Sequence, residues 1–437
     1  MDKNNREEIL EKLKNGRSFD IASDELRNDR DFVLKAVKID GWNLKWTFEN
    51  LRDDKDVVLE AVRQDGSSIT WASPRLKDDK EVVMTAINQK TSSISWASKR
   101  LCDEFDVIMM AVKNQGSALD YASDRLKDDP KIVIEAIKQN GEAIRFASDR
   151  LKNDYGIAIM AVKQNGKALA WVSDKLKEDN KIVMTALNNT FIAFKFASDK
   201  FKDNKDLVIR AVKDRGYILE YASDRLKDNK EVVMTAVYNW GYALEFASDT
   251  LKNNKEIVLE AVKNYGTALE FANDTLKDDK EVVMTAVRNQ GTALQWASDR
   301  LKNDPEVVLE AVKNYGTALE FANDKFKDDK DLVMRAVKNY GYALEFASER
   351  LKDNKEIVLE AIKDSGFIIK NVSKRLKNDI EVVRKAVKQN KFSFRLAGKE
   401  LREKFPTIET LLNSDKEITK DNQWSKSIED KSSDLER

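Results

Sequence analysis

Residues 281–305 read EVVMTAVRNQGTALQWASDRLKNDP, and the blocks on either side repeat the phrase: EIVLEAVKNYGTALEFANDTLKDDK at 256–280 and EVVLEAVKNYGTALEFANDKFKDDK at 306–330. The three copies keep register without one inserted or deleted residue. Take the Leu of LKND or LKDD as position 1. That anchor then recurs every 25 residues from Leu26 to Leu401, giving fifteen complete repeats over 26–400. Residues 1–25 hold the register through Gly16, Phe19, Ile21 and Ala22 and read as a degenerate N-terminal capping repeat. LREKFPTIETLL at 401–412 reads as a C-terminal half-repeat cap, and the polar, aperiodic stretch 413–437 as a disordered tail. A fixed short period without gaps is the signature of a solenoid, in which each unit packs on its neighbours.

The helical signals inside one repeat make the solenoid all-α, built from two-helix repeats. Position 4 is Asp or Asn in every full repeat except the one with Glu104, as expected of an N-cap that accepts a bond from an orphan backbone N–H. Pro130 and Pro305 follow that cap directly, where a missing N–H costs nothing. A run such as EVVMTAVRN then predicts a helix of about eleven residues ending near position 16. Thirteen of the fifteen glycines occupy position 16, which predicts a left-handed C′ residue. A second, shorter helix is expected over TALEFAN, and SDRLKND carries the chain to the next cap. Positions 7, 8, 9, 11 and 12 are apolar, a stripe wide enough for a helix sandwiched between two neighbours. Position 11 is Ala in all fifteen repeats, from Ala36 to Ala386, which calls for close helix approach. Position 21 is aromatic in thirteen of them, among them Trp46, Trp96, Trp171, Phe246 and Trp296, and these rings are expected to plug the core of each repeat.

Having reached EVVMTAV, NxGxALEFAS and LKDDK in fixed order, one can see that the chain resembles a family of bacterial, amoebal and large-virus proteins catalogued as a domain of unknown function. The resemblance spans essentially residues 1–400 and implies an all-helical repeat array with no enzymatic activity and no catalytic residue. Thr91, Phe191 and Lys391 depart from the pattern at the turn glycine, and Asn371 and Leu396 at the aromatic.

Composition narrows the functional classes. Lys+Arg and Asp+Glu are equal at 77 each, so the net charge draws the whole chain toward neither polyanions nor acidic membranes. There is no histidine, which removes His-dependent triads and the commonest zinc ligand. Cys102 stands alone where most repeats carry Lys and is expected to be an incidental surface substitution, in a reducing compartment. The paired carboxylates of KDDK recur along the array and read as helix caps rather than acid/base or calcium sites. No catalytic residue, metal site, cofactor or small-molecule substrate is expected. The N-terminus lacks the apolar region of a secretory signal and no stretch has the length of a membrane helix, so the protein is expected in the cytoplasm, with delivery into a host cell left open.

Variation between repeats marks the candidate site. Positions 15 and 17 flank the turn glycine and are mostly polar early in the chain. Later they become Tyr217, Trp240, Tyr242, Tyr265, Tyr315, Tyr340 and Tyr342, with Tyr238 nearby at position 13. Position 20 carries Glu220, Glu245, Glu270, Glu320 and Glu345, whereas Lys45, Arg145, Lys195, Lys370 and Arg395 make it basic elsewhere. Tyrosine and tryptophan carry much of the energy at protein interfaces. The expectation is a non-enzymatic, monomeric scaffold, inhibitor or effector whose acidic, tyrosine-rich ridge grips a basic segment of another protein. The alternative is a nucleic-acid-binding solenoid using the Lys/Arg ladders at positions 2 and 13, which lie beside acidic ladders that cancel much of their field.

Overall fold

The computed structural model describes residues 5–413; apart from Asn413, the expected tail lies outside them. Among the described residues there is no strand, and no helix is long and apolar enough to cross a membrane. The chain divides into two compact units, Met1–Leu207 and Val208–Arg437, each an α-solenoid of stacked repeats.

One repeat shows the plan of nearly all. The ten-residue helix Lys280–Asn289 occupies positions 5–14 and starts where Asp279 accepts from the backbone N–H groups of Glu281 and Val282. An extended residue at position 15 leads into the 3₁₀ helix Gly291–Trp296, positions 16–21, and the four-residue helix Asp299–Lys302 returns the chain to the next cap. The second helix of the repeat is thus a 3₁₀ helix, and the first ends at position 14 rather than 16. In the repeat whose cap is Glu104, no side-chain cap bond forms. Within each unit, ten-residue helices pack on those of the next repeat and 3₁₀ helices on 3₁₀ helices. The four-residue helices are joined by a backbone bond from position 23 to position 2, as in Ser298 N–H to the Lys277 carbonyl at 2.9 Å.

The core comes from positions 7, 8, 11 and 12 of the long helix, 18, 19 and 22 of the following segment, and the position 1 anchor. In one repeat these are Val282, Val283, Ala286, Val287, Ala293, Leu294, Ala297 and Leu301, all buried. Two sequence expectations about this core are corrected. Position 21 is not a buried plug: Trp96, Tyr121 and Trp171 are 46%, 42% and 43% exposed, and the remaining rings are half-buried. The last residue of the 3₁₀ helix sits at its rim, where the short Ala or Val at position 22 takes the inward direction instead. Position 9 is likewise half-buried in most repeats, as at Met234 and Leu259, because a long helix touched on two sides still leaves its outer edge to solvent.

The turn glycine is corrected in its cause. Gly16 alone, at φ +79°, has a left-handed backbone. At the other twelve turn glycines a Cβ would lie 2.2–2.6 Å from the carbonyl oxygen of the position 11 alanine in the next repeat, well inside any tolerable contact. Glycine is needed here because two backbones touch, not because φ is positive. The same turn explains position 14, which the sequence reading did not single out. The Gly266 N–H donates to Asn289 Oδ1 at 2.8 Å, and Asn289 Nδ2 donates to the Lys263 carbonyl at 2.8 Å. In five repeats, through Gln64, Gln164, Asn189, Asn289 and Asn339, such an amide satisfies two backbone groups of the repeat before it, including an orphan carbonyl at the end of its helix. Gly41 with Gln64 and Gly166 with Asn189 repeat the arrangement in the first unit.

Candidate functional site

Charge is laid down in ladders, and most of them are closed. Lys255 Nζ lies 2.8 Å from both the Asp279 cap and Glu281 of the next repeat, and Lys55, Lys280 and Lys355 do the same with their successors. The first Asp of the KDDK motif has its own partners: Asp278 accepts from the Ser298 hydroxyl and from Arg300 Nε at 2.9 Å, while Arg300 Nη2 reaches the Asp278 carbonyl at 2.5 Å. The hydroxyl first, and then the guanidinium, holds the Asp278 carboxyl below the ordinary carboxylate range. Six of the twelve position 2 lysines are tied to an acid three residues earlier, as in Lys177 with Asp174 at 2.9 Å and Lys352 with Glu349 at 2.9 Å. The motif's carboxylates thus cap helices and join layers, and no group of described His, Cys, Asp or Glu residues is arranged to hold a metal. Cys102 is half-buried, and burial pushes its thiol up, away from the reactive thiolate.

The position 20 glutamates are different. Glu220, Glu245, Glu320 and Glu345 are exposed and Glu270 is half-buried, and none of the five joins an ion pair among the described residues. Their neutral contacts are a hydrogen bond between Glu220 and the Tyr221 hydroxyl and one from Asn371 Nδ2 to Glu345 at 3.4 Å. A 3₁₀ helix has three residues per turn, so positions 17 and 20 stand in one column. Tyr217 with Glu220, Tyr242 with Glu245, and Tyr342 with Glu345 each share such a column in the second unit.

The aromatic residues separate into two groups. Tyr217, Trp240, Tyr242 and Tyr265 form a chain of ring contacts across successive repeats, with centroids 6.1, 5.9 and 5.3 Å apart in that order. Trp240 and Tyr242 also rest on the position 21 rings Phe246 and Phe271 at 6.3 and 5.9 Å. Tyr242 hydrogen-bonds Thr267, and Tyr342 hydrogen-bonds Ser365 at 3.1 Å while its ring meets that of Tyr340, tilted by 37°, at 5.5 Å. These residues join layers as well as line the ridge. Tyr238 is 67% exposed, and Tyr265, Tyr315 and Tyr340 are 40%, 39% and 43% exposed. They present most of their free surface outward.

Position 15 has a structural task that the ridge residues abandon. It is the N-cap of the 3₁₀ helix, and where it is Asp65, Asn140, Asn165 or Ser365 its side chain accepts from the N–H of position 17. Trp240, Tyr265, Tyr315 and Tyr340 occupy the same place and make no cap bond. The sequence contained this signal, four aromatics at a position that is Asp, Asn, Ser or Thr in seven repeats and Lys90, Gln115, Arg215 or Gln290 in the other four, but its meaning needed the 3₁₀ helix.

Comparison with known families agrees with this architecture. The sequence model of a domain of unknown function, DUF4116, matches thirteen segments from 5–52 to 354–402, each about two repeats long, with starts 25 residues apart from 129 to 329. The chain belongs to the DUF4116 family. No curated protein matches the chain.

Proposed function

We propose that the second unit is a non-enzymatic docking surface, and that its ridge over residues 217–345 holds an extended basic segment of another protein. The observation that supports this most directly is the break in local rule at position 15. A capping side chain is worth about 1 kcal/mol, and of the eight full repeats that lack it, four, all in this stretch, carry a large ring in its place. Departures of that kind concentrate where a fold serves a function. The unpaired glutamates at position 20 supply the sign of the partner, because many carboxylates at positions 3, 4 and 6 are tied to cations of a neighbouring repeat. Rings beside carboxylates suit lysine and arginine side chains, whose stems pack on the ring while the charged head meets the acid. Three such columns, Tyr217 with Glu220, Tyr242 with Glu245 and Tyr342 with Glu345, spread over six layers fit an extended strand rather than a compact ligand. The position 2 ladder, half of whose lysines are tied to their own carboxylates, supports nucleic-acid binding less well.

The test uses a fluorescein-labelled, unstructured peptide of alternating lysine and glycine, read by anisotropy against the full chain. Binding is expected to weaken at least ten-fold when Tyr238, Tyr265, Tyr315 and Tyr340 are replaced by Ser, and again when Glu220, Glu245, Glu320 and Glu345 are replaced by Gln. These side chains lie outside the core, so circular dichroism is expected to stay unchanged. Equal binding by all three proteins would remove the ridge from the account.

A further inference from the structure

The column that carries Tyr and Glu through residues 217–345 changes sign at the end of the second unit. In the last two full repeats, position 17 is Phe367 and then Phe392, and position 20 is Lys370 and then Arg395. Position 24, acidic from Asp124 through Glu349, becomes Lys374 and Lys399, and Lys391 takes the place of the turn glycine. Over residues 366–399 there are ten Lys or Arg and two acids, Asp379 and Glu381. Both acids are held by Lys355, at 2.9 and 2.8 Å. Among the described residues Lys370, Lys374, Lys385, Lys388, Lys391 and Arg395 make no ion pair and all are exposed. With Lys at position 24, Lys377 has no acid three residues back and turns its ammonium to the Lys370 carbonyl at 2.7 Å. The charge cancellation found along the rest of the array fails here.

The rings are equally unusual. Phe392 is 64% exposed and Phe367 is 38% exposed, and they are the large apolar residues left outward in this segment. The two 3₁₀ helices that carry them, Gly366–Asn371 and Lys391–Leu396, pack on each other. Each presents a ring and, three residues on in the same column, a cation; Arg395 holds its guanidinium 5.7 Å from the Phe392 centroid.

We propose that this basic, aromatic face of residues 366–399 binds single-stranded nucleic acid, with bases laid on Phe367 and Phe392 and phosphates met by Lys370, Lys374, Lys391 and Arg395. Unstacked bases offer a π-face to every exposed ring without regard to sequence, and a row of uncompensated cations tracks the backbone beside them. A duplex hides its base faces, and neither short helix is suited to enter a groove. An anionic membrane would share the cations but requires more buried apolar area than two rings supply. An acidic protein, including the glutamate ridge of a second copy, would use the charge and leave the flat rings without a matching flat partner. The proposal concerns the stretch of the column beyond the acidic ridge, uses none of the ridge's tyrosines or glutamates, and stands or falls apart from it.

The test is anisotropy of a fluorescein-labelled ten-nucleotide oligouridylate titrated with the full chain at several salt concentrations. Four phosphate contacts give a slope of log K against log salt of about −3, from about −0.7 per contact on a single strand. Replacing Lys370, Lys374, Lys391 and Arg395 by Gln is expected to flatten that slope toward zero. Phe392→Ala and Phe367→Ala are each expected to weaken binding about ten-fold with the slope retained, since a stacked base is worth roughly 1–3 kcal/mol. Both rings are exposed and circular dichroism should not move. Four results would overturn the proposal: binding unaffected by these variants, equal binding to a duplex of the same length, capture by phosphatidylserine vesicles in place of the oligonucleotide, or a concentration-dependent dimer in light scattering that the Gln variant abolishes while no oligonucleotide binds.

Discussion

Gly266→Ala tests the cause assigned to the turn glycines. An ideal Cβ on Gly266 would lie 2.4 Å from the Ala286 carbonyl oxygen and 2.9 Å from the Gln290 Cβ, where ordinary contact begins at 3.4 Å. The two layers must therefore part by about 1 Å, and overpacking of that kind costs about 1–3 kcal/mol. The same movement stretches the 2.8 Å bond from Gly266 N–H to Asn289, adding about 1 kcal/mol. The expected loss is about 3 kcal/mol, concentrated in the two layers that touch, because solenoid stability is a sum of repeat and nearest-neighbour contributions. Hydrogen exchange followed by mass spectrometry on the full chain would locate it as faster exchange in peptides covering residues 255–300. Gly266→Asn separates this account from the conformational one. Asn tolerates the left-handed region, so it would rescue a glycine kept for its φ angle, but its Cβ meets the same carbonyl. Gly16, at φ +79° with nothing within 4 Å, is the control at which Asn is expected to be tolerated. A Gly266→Asn protein clearly more stable than Gly266→Ala, or a Gly266→Ala protein no worse than Gly16→Ala, would refute the reasoning.

Three further outcomes follow from the same structure. Ser93 is buried with its hydroxyl unpartnered at position 18, where most repeats carry Ala, so Ser93→Ala is expected to stabilise the first unit by about 1 kcal/mol, read as slower hydrogen exchange in peptides spanning it. Tyr315→Asn restores the missing cap to the N–H of Thr317 and is expected to slow local exchange by about 1 kcal/mol equivalent while weakening the basic-peptide binding of the ridge; a loss of stability would mean that the ring is needed by the fold. Asp278, Asp328 and Asp353 are each held below the ordinary carboxylate range by a serine hydroxyl and then an arginine. A folded-state pKa below the unfolded one adds stability that is present above the unfolded value, about 4, and is lost as pH falls through the folded value. The urea midpoint is therefore expected to hold between pH 7 and 5 and to drop below pH 4; a midpoint that rises on acidification would contradict the assignment.

Much of the fold could be read directly from the residues. Caps such as Asp279, the proline at Pro305 and the 25-residue register are local signals, and local chemistry placed the long helices to within two residues. What escaped were features set by the neighbouring repeat. Gly266 looks the same whether its φ is positive or its Cβ is barred by Ala286, and only the layered structure distinguishes the two. Asn289 looks like an ordinary helix-end polar residue until its two backbone partners in the preceding repeat are seen. Trp96 and Tyr121 read as core because aromatic residues flanked by apolar ones usually are, yet a six-residue 3₁₀ helix turns its last side chain to the rim. For the candidate site, the tyrosines and glutamates were found by their variation between repeats. Which of them join layers, as Trp240 and Tyr242 do, and which face outward, as Tyr238 and Tyr315 do, depended on ring distances that no pattern encodes.

The bridging amide gives the array a direction. The turn at Gly266 is completed by Asn289, 23 residues further along the chain, and never by a residue already made. On a ribosome, a layer closed in this way keeps a backbone N–H and a helix-end carbonyl exposed until nearly a whole further repeat has been synthesised. A chain cut short before Asn289 leaves the Gly266 turn unsealed, whereas one that has lost its beginning keeps that seal.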